Sequence, residues 1–354
     1  MATSERSGKI QTVVGLIEPE ALGITLTHEH MLIDLSYFNH IPDEASERAW
    51  LDAPVTMENR NGIIKRTHFN KPDYQMVDER EAFKEVAAFR NAGGTSMVDA
   101  TSNGIGRDPL ALARISRASG LNIVMGSSFY VPASWPTDMA TRAEDSITKE
   151  IVRDITVGVG DTGVRSGLIG EIGNYWPMTD TQQKVLRASA RAQVETGAAI
   201  LIHPGMVPQS PMEILDVLTR AGAKHDRIIM GHMDLLGDGE MFRDVLKTGS
   251  YFEMDIFGYE DSSWLGPGKQ KSSTRWMTDA ERMDWLEMLV GEGFGKQIVI
   301  AHDECLKIHR TQYGGKGYGH ILESIVPRMR KRGFTEEHIN DILVENPKRI
   351  LTFE

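Results

Sequence analysis

The chain has 354 residues, 40% of them hydrophobic, which is enough to bury a large core without disulfide staples. Its formal net charge of −11 argues against a nucleic-acid backbone or an anionic membrane as the main partner, but leaves room for an anionic small substrate at a metal. A lone cysteine, Cys305, excludes an internal disulfide framework and argues against a Cys-based zinc site; with no apolar signal core in residues 1–8 and no run near the ~18–20 apolar residues that span a bilayer, the expected setting is soluble and cytoplasmic.

Residues 1–20 form a short N-terminal segment in which 9–17 alternates well enough to be a small capping strand. Eight short apolar runs then recur, at 24–34, 95–101, 121–130, 167–173, 198–205, 227–234, 251–258 and 297–305. Segments of helical spacing lie between or after them, at 81–91, 108–118, 146–156, 180–196, 211–221, 238–247, 279–291 and 320–332. Strand–helix alternation repeated eight times predicts an α/β fold, a closed (β/α)8 TIM barrel spanning residues 1–354 as one domain. A doubly wound open sheet is the alternative. It favours a glycine-rich phosphate loop after the first strand, and the chain has none there. Two long stretches break the regularity, 35–78 after the first strand and 255–278 after the seventh. Both follow strand C-terminal ends, where barrel enzymes build active sites, so both are expected to form lids or substrate walls.

The chemistry-bearing residues fall at those same strand ends. In a strand, residues two apart share a face, so His28 and His30 project together while Glu29 points outward. Glu171 ends the fourth run in a glycine-flanked apolar stretch, where an unpaired carboxylate is costly to bury. His203 ends the fifth run, His232 lies near the end of the sixth, and Asp303 ends the eighth. Each alone is more often a satisfied structural residue. Four imidazoles and two carboxylates around one barrel axis instead suit two divalent ions, with zinc first and manganese, cobalt or iron as alternatives. Ions about 3.5–4 Å apart bridge a water and lower its pKa toward ~7, which makes the bridging hydroxide the expected nucleophile. Asp303 is the expected general base, passing a proton to the leaving group. The remaining histidines, at 40, 68, 225, 302, 309, 320 and 338, lack this placement and are read as surface or supporting residues.

The motifs Leu22-Gly-Ile-Thr-Leu-Thr-His-Glu-His30, Ile169-Gly-Glu-Ile-Gly173, Ile202-His-Pro-Gly205, Ala301-His-Asp303 and Tyr313-Gly-Gly-Lys-Gly-Tyr318 resemble, in this order, the phosphotriesterase family of the amidohydrolase superfamily. The likeness runs from Gly15-Leu-Ile-Glu-Pro to Glu345-Asn-Pro-Lys-Arg-Ile-Leu, and it is greatest to the phosphotriesterase-related branch. It implies a binuclear centre with His28 and His30 on the more buried ion, His203 and His232 on the more exposed one, and Asp303 completing the buried site. Many members bridge the ions with a carboxylated lysine. Here Glu171 stands at that position, with the same charge and a shorter arm. Organophosphate-cleaving members carry a histidine after the aspartate of the seventh strand, whereas Asp255 here precedes Ile256, which argues against efficient phosphotriester hydrolysis.

The resemblance therefore implies acyl hydrolysis, with N-acyl amides such as N-acyl amino acids or N-acyltaurines ahead of a lactone or ester. A promiscuous phosphotriesterase, or a catalytically silent small-molecule-binding protein, is the competing reading. Substrate contacts are expected from Thr101, Asn103, Tyr130, Trp176, Phe257, Tyr259, Lys307 and Arg310, with Lys307 or Arg310 pairing a carboxylate or sulfonate. Core packing is the alternative for Trp176, and solvation for Lys307 and Arg310. The partners expected are a small-molecule substrate and a second copy of the chain in a homodimer.

Overall fold

The computed structural model describes residues 5–66, 69–260 and 276–354. Residues 10–17 form two strands rather than one. Ile10–Thr12 pairs antiparallel with Gly15–Ile17 through a turn at Val13 and Val14 that the two-residue period did not reveal, and Gly15, at φ 134°, follows it. Eight parallel strands come next: β1 Thr25–Glu29, β2 Ser96–Asp99, β3 Asn122–Met125, β4 Leu168–Gly173, β5 Ala199–His203, β6 Ile228–Met230, β7 Tyr251–Met254 and β8 Ile298–Ile300. They lie in two arcs, β1-β2-β3 and β4 through β8 in order. Backbone bonds join the arcs on both sides: Gly167 and Gly170 N–H donate to Met125 and Ser127 O at 2.9 and 2.8 Å, and Asp303 N–H donates to His28 O at 3.1 Å. This is the expected TIM barrel.

Each strand is shorter than its apolar run. The pairing stops where the chain must turn out to reach a helix, so His203 sits at the last ladder pair of its strand and His232 and Asp303 sit just past theirs. The run 24–34 contains β1 and, separately, Ile33–Asp34, which pairs antiparallel with Gln75–Met76 inside the long loop after β1.

Helices cover the strands from outside: α1 Glu79–Asn91, α2 Pro109–Ser119, α3 Glu144–Thr156, α4 Asp180–Thr196, α5 Ser210–Arg220, α6 Gly239–Lys247, α7 Asp279–Gly291 and α8 over 321–331. Their ends follow local chemistry. On α2, Asp108 accepts from Ala111 N–H at the start, and Gly120 takes the left-handed conformation at the stop.

Strand alternation sorts the core into two layers. Val98, Val124, Leu168, Leu201, Ile229 and Val299 pack with Ile10 inside the barrel. Met97, Ile123, Ile169, Ile200, Met230 and Phe252 pack outward with the helices. The period of two then carries His203, two residues beyond Leu201, toward the axis. Two strands need an irregularity as well. The register slips between Ile169 and Ile172 on β4, and both of these side chains pack outward although three residues apart. That slip turns Glu171 inward. A matching slip between Leu26 and Glu29 on β1 sets the phase of His28 and His30. Gly170 allows the β4 slip, since a Cβ there meets Leu201 O at 2.3 Å.

The segment after β7 is fastened from below. Arg282 on α7, fully buried, donates to Asp234 Oδ2 at 2.6 Å and Asp279 Oδ1 at 3.0 Å. Those carboxylates accept the backbone N–H groups of Ile256 (3.1 Å) and Gly258 (2.9 Å). Arg282→Ala leaves two buried carboxylates short of their cation, and the expected loss is about 3–5 kcal/mol in chemical denaturation. A loss within experimental error would show that the network contributes nothing to folding.

Candidate active site

Glu171 lies at the centre of the site with 2% exposure. Its Oε1 faces His30 Nε2 at 3.3 Å. Its Oε2 faces His28 Nε2 at 3.4 Å, His203 Nδ1 at 3.3 Å and His232 Nε2 at 3.5 Å. Asp303 approaches from β8, with Oδ1 at 3.1 Å from His30 Nε2 and 3.8 Å from His28 Nε2. The structure thus brings all six candidate ligands together. Their ligand atoms form overlapping trios within 4.8 Å: His28 with His30 and Glu171, His203 with His232 and Glu171, and His28 with His232 and Asp303. His232 and Asp303 hold positive φ values of 54° and 48°; His232 stands two residues beyond the outward-packed Met230, so this conformation aims its ring back at the axis where regular strand would turn it away.

The donor set fits metal ions. His28 Nε2, Glu171 Oε2 and Asp303 Oδ1 are buried with no hydrogen-bond partner among the described residues. The ring nitrogens on the far side are occupied. His28 Nδ1 faces Asp255 Oδ2 at 2.9 Å and Glu253 Oε2 at 3.3 Å, and His232 Nδ1 faces Asp255 Oδ1 at 2.9 Å. His30 Nδ1 lies 2.9 Å from Thr101 Oγ1, whose hydroxyl donates to Leu32 O. These partners occupy Nδ1, so that Nε2 is the nitrogen turned toward the centre. His203 is turned the other way, presenting Nδ1.

The electrostatics arise from the same contacts. Burial opposes charge on His28, yet Glu171 and Asp255 overcome it and raise its pKa well above the usual value. Burial also opposes charge on His30, but Asp303 and Glu171 raise it to about 9. Burial and then the neighbouring charge of His232 push His203 down. Glu171 is held well below the carboxylate range despite burial, chiefly by the charge of His28 and then by the close approach of His203 and His232. Burial raises Glu253 to about 6, with His28 opposing.

Above the cluster lies an apolar cavity. Leu35, Phe38 and Tyr74 reach it from the long loop after β1, while Ile256, Tyr259 and Trp276 flank it on the β7 side. His203, His232 and Asp303 form its polar floor, and no Lys or Arg lines it among the described residues. The first long loop therefore forms one wall of the cavity. The second, 255–278, lies mostly outside the described residues, as does His68.

Of the expected substrate contacts, Tyr130 and Tyr259 line this cavity. The Tyr130 hydroxyl is 3.3 Å from His203 Nδ1, and the Tyr259 hydroxyl donates to Asp303 O. The others are engaged elsewhere. Asn103 accepts from Arg107 at 2.6 Å, Trp176 Nε1–H donates to Glu213 at 3.1 Å, and Phe257 is buried under the Arg282 guanidinium. Arg310 is fully buried and donates to Met31 O at 2.6 Å, while Lys307 opens the turn Lys307–His309 outside the cavity lining. Arg310 is neither solvated nor in the cavity. Thr101 acts on His30 rather than on the cavity. His302 and His309 are buried, His302 on Glu29 and His309 stacked on Tyr259 at 3.6 Å.

Sequence reasoning missed Glu253 and the structural part of Asp255. Their alternate spacing on the seventh strand was the available signal, but residue type alone does not say which ring a carboxylate will meet.

The Phosphotriesterase family model matches residues 8–351. The chain belongs to the phosphotriesterase family, a family of metal-dependent hydrolases. It is 36% identical to an N-acetyltaurine hydrolase from Dictyostelium discoideum over 99% of both chains. Among solved structures, a resiniferatoxin-binding protein from Rhodobacter sphaeroides superposes with a TM-score of 0.91 at 32% identity, covering 98% of this chain and 95% of that one. A lactonase from Listeria monocytogenes superposes with a TM-score of 0.77 at 26% identity, covering 98% and 99%. No helix among the described residues is long and apolar enough to cross a membrane.

Imidazoles must shed their protons to ligate, and His30 keeps one up to about 9 in the metal-free cluster. Affinity for Zn²⁺ is therefore expected to rise between about pH 6 and 9, with protons released on binding. Calorimetry in buffers of different ionisation enthalpy measures that release; pH-independent affinity without proton release would contradict the charge state described.

Proposed function

We propose that this chain hydrolyses N-acyl amides of the N-acyl amino acid or N-acyltaurine type, using two divalent ions held by His28, His30, Glu171, His203, His232 and Asp303. The observation that carries the reading is the convergence of four imidazoles on the two oxygens of Glu171. The relatives named N-acetyltaurine hydrolase, at near-full coverage, support an amide over other acyl substrates. Zinc is the first choice of ion, with manganese, cobalt and iron also suited to this donor set. The family resemblance and the single cysteine extend the reading to a homodimer in the cytoplasm.

Bound ions supply the positive charge that polarises a carbonyl oxygen and acidifies water. The protein does the rest. Glu171 offers one oxygen toward His30 and the other toward the remaining three rings, so it is placed to bridge. The Asp303 carboxylate, which meets His30 through Oδ1 and also lines the cavity, accepts the proton of the attacking water and delivers it to the leaving nitrogen. The Tyr259 hydroxyl fixes the Asp303 backbone, and the apolar walls exclude bulk water.

One observation favours a lactone instead: the cavity lining has no Lys or Arg among the described residues to meet a carboxylate or sulfonate. The likeness to the resiniferatoxin-binding protein keeps binding without turnover in play.

Metal-loaded protein assayed against N-acyl amino acids, N-acyltaurines, lactones and a phosphotriester, with a chelated control, separates these readings. Chelator-sensitive cleavage of an N-acyl amide is expected. Turnover of lactones alone would transfer the chain to lactone chemistry, and bound metal without turnover would leave the binding reading. Glu171→Gln is expected to lower metal content and activity together, since a neutral amide bridges poorly; full loading at normal activity would remove it from the bridge. Asp303→Asn is expected to lower kcat by about 10²-fold, the scale of acid–base losses. An unchanged kcat would assign the proton transfer to another group.

A further inference from the structure

Asp255 stands at the end of β7 with no solvent exposure and touches both halves of the ligand cluster at once. Its Oδ2 lies 2.9 Å from His28 Nδ1, and its Oδ1 lies 2.9 Å from His232 Nδ1. His28 belongs to the trio with His30 and Glu171, and His232 to the trio with His203 and Glu171. The partner of His30, by contrast, is the Thr101 hydroxyl, which reaches one ring only. A single carboxylate thus has one acceptor oxygen for a ring in each trio.

The carboxylate is itself fixed. The backbone N–H of His232 donates to it at 3.0 Å from Oδ2 and 3.2 Å from Oδ1. The next backbone N–H, that of Ile256, donates to Asp234 at 3.1 Å, and Asp234 is held by Arg282. Neither oxygen can turn to serve one ring without leaving the other. His28 has a second acceptor in Glu253 at 3.3 Å, but among the described residues His232 Nδ1 has none nearer than Asp303 Oδ2 at 3.9 Å.

We infer that Asp255 is a positioning residue shared by both metal sites, holding the Nδ1 protons of His28 and His232 so that each Nε2 points at its own ion. The inference rests on the two-ion reading above. A ring without its partner rotates more freely and can carry its proton on Nε2, which blocks ligation. Loss of Asp255 therefore weakens both ions in one step, while loss of a partner that serves one ring weakens one.

The test is a competitive chelator titration with Zn²⁺, with ions per chain counted by elemental analysis, on the wild type, Asp255→Ala and Thr101→Val. The wild type is expected to bind two ions. Asp255→Ala is expected to weaken both by about 10- to 100-fold, the range for lost supporting partners, and Thr101→Val to weaken one. Cobalt loading gives a second readout, since both sites should lose intensity or shift in the visible spectrum of the alanine variant. Circular dichroism of the metal-free proteins checks folding. If alanine does not fold, Asp255→Asn carries the test: its amide keeps the shape but has one acceptor for two rings, so at least one ion should weaken tenfold or more. Two ions bound with unchanged affinity in the folded variant, or loss of one ion alone in Asp255→Ala, would overturn the shared role. A wild type that binds no ion would overturn the two-ion reading and this inference with it.

Discussion

A carboxylate enclosed by four imidazoles is the interaction around which this protein is organised. Glu171 is almost fully buried, and an isolated charge there would cost several kcal/mol in desolvation. It keeps its charge because every ring around it supplies the opposite tendency. The same arrangement crowds ring nitrogens and carboxylate oxygens together at the centre, several of them without a hydrogen-bond partner among the described residues. That is an unfavourable core and a favourable cation site. The barrel accepts it because the two strand slips and the two left-handed residues are held by the apolar layers on either side.

Around this centre, the supporting polar groups form a second tier that the apolar core could not provide. Thr101, Glu253 and Asp255 hold the outer ring nitrogens. Asp234 and Arg282 hold the backbone that carries Asp255 and the cavity wall at Ile256. Rigidity therefore passes inward from a buried ion network on α7 to the rings. The cavity is built on different terms, from aliphatic and aromatic side chains of loops, so its shape can vary while the centre stays fixed. This division is in keeping with the chain's likeness to proteins named for lactones, N-acetyltaurine and small-molecule binding.

Much of this was legible in the chain. The eight strands and their order came from apolar runs bounded by polar residues, because buried parallel strands need continuous apolar sequence. His203 came from period-two alternation beyond Leu201. His28 and His30 were readable as a pair because residues two apart share a face, whereas the slip between Leu26 and Glu29 was not visible in the sequence. Glu171 was found as a buried carboxylate at a strand end, but the slip that turns it inward was not visible, since a bulge depends on the register that the neighbouring strands accept. The expected contacts Phe257 and Arg310 sit at the right distance along the chain from the strand ends. They turn inward to the core because each meets a partner from a remote segment, Arg282 for one and Met31 for the other.

What the sequence by itself determined was the inventory: eight strand–helix units, a set of four imidazoles and two carboxylates at strand ends, and long loops on that same face. These depend on local rules of periodicity and burial, which act over a few residues. What only the tertiary structure decided was which atoms meet. The choice of Nδ1 or Nε2 on each ring, the double contact of Asp255 and the apolar character of the cavity all depend on groups tens to hundreds of residues apart, brought within hydrogen-bond distance by closure of the barrel. A carboxylate's charge is written in its residue type, but its partner is fixed by the packing of strands that do not touch until the chain has folded.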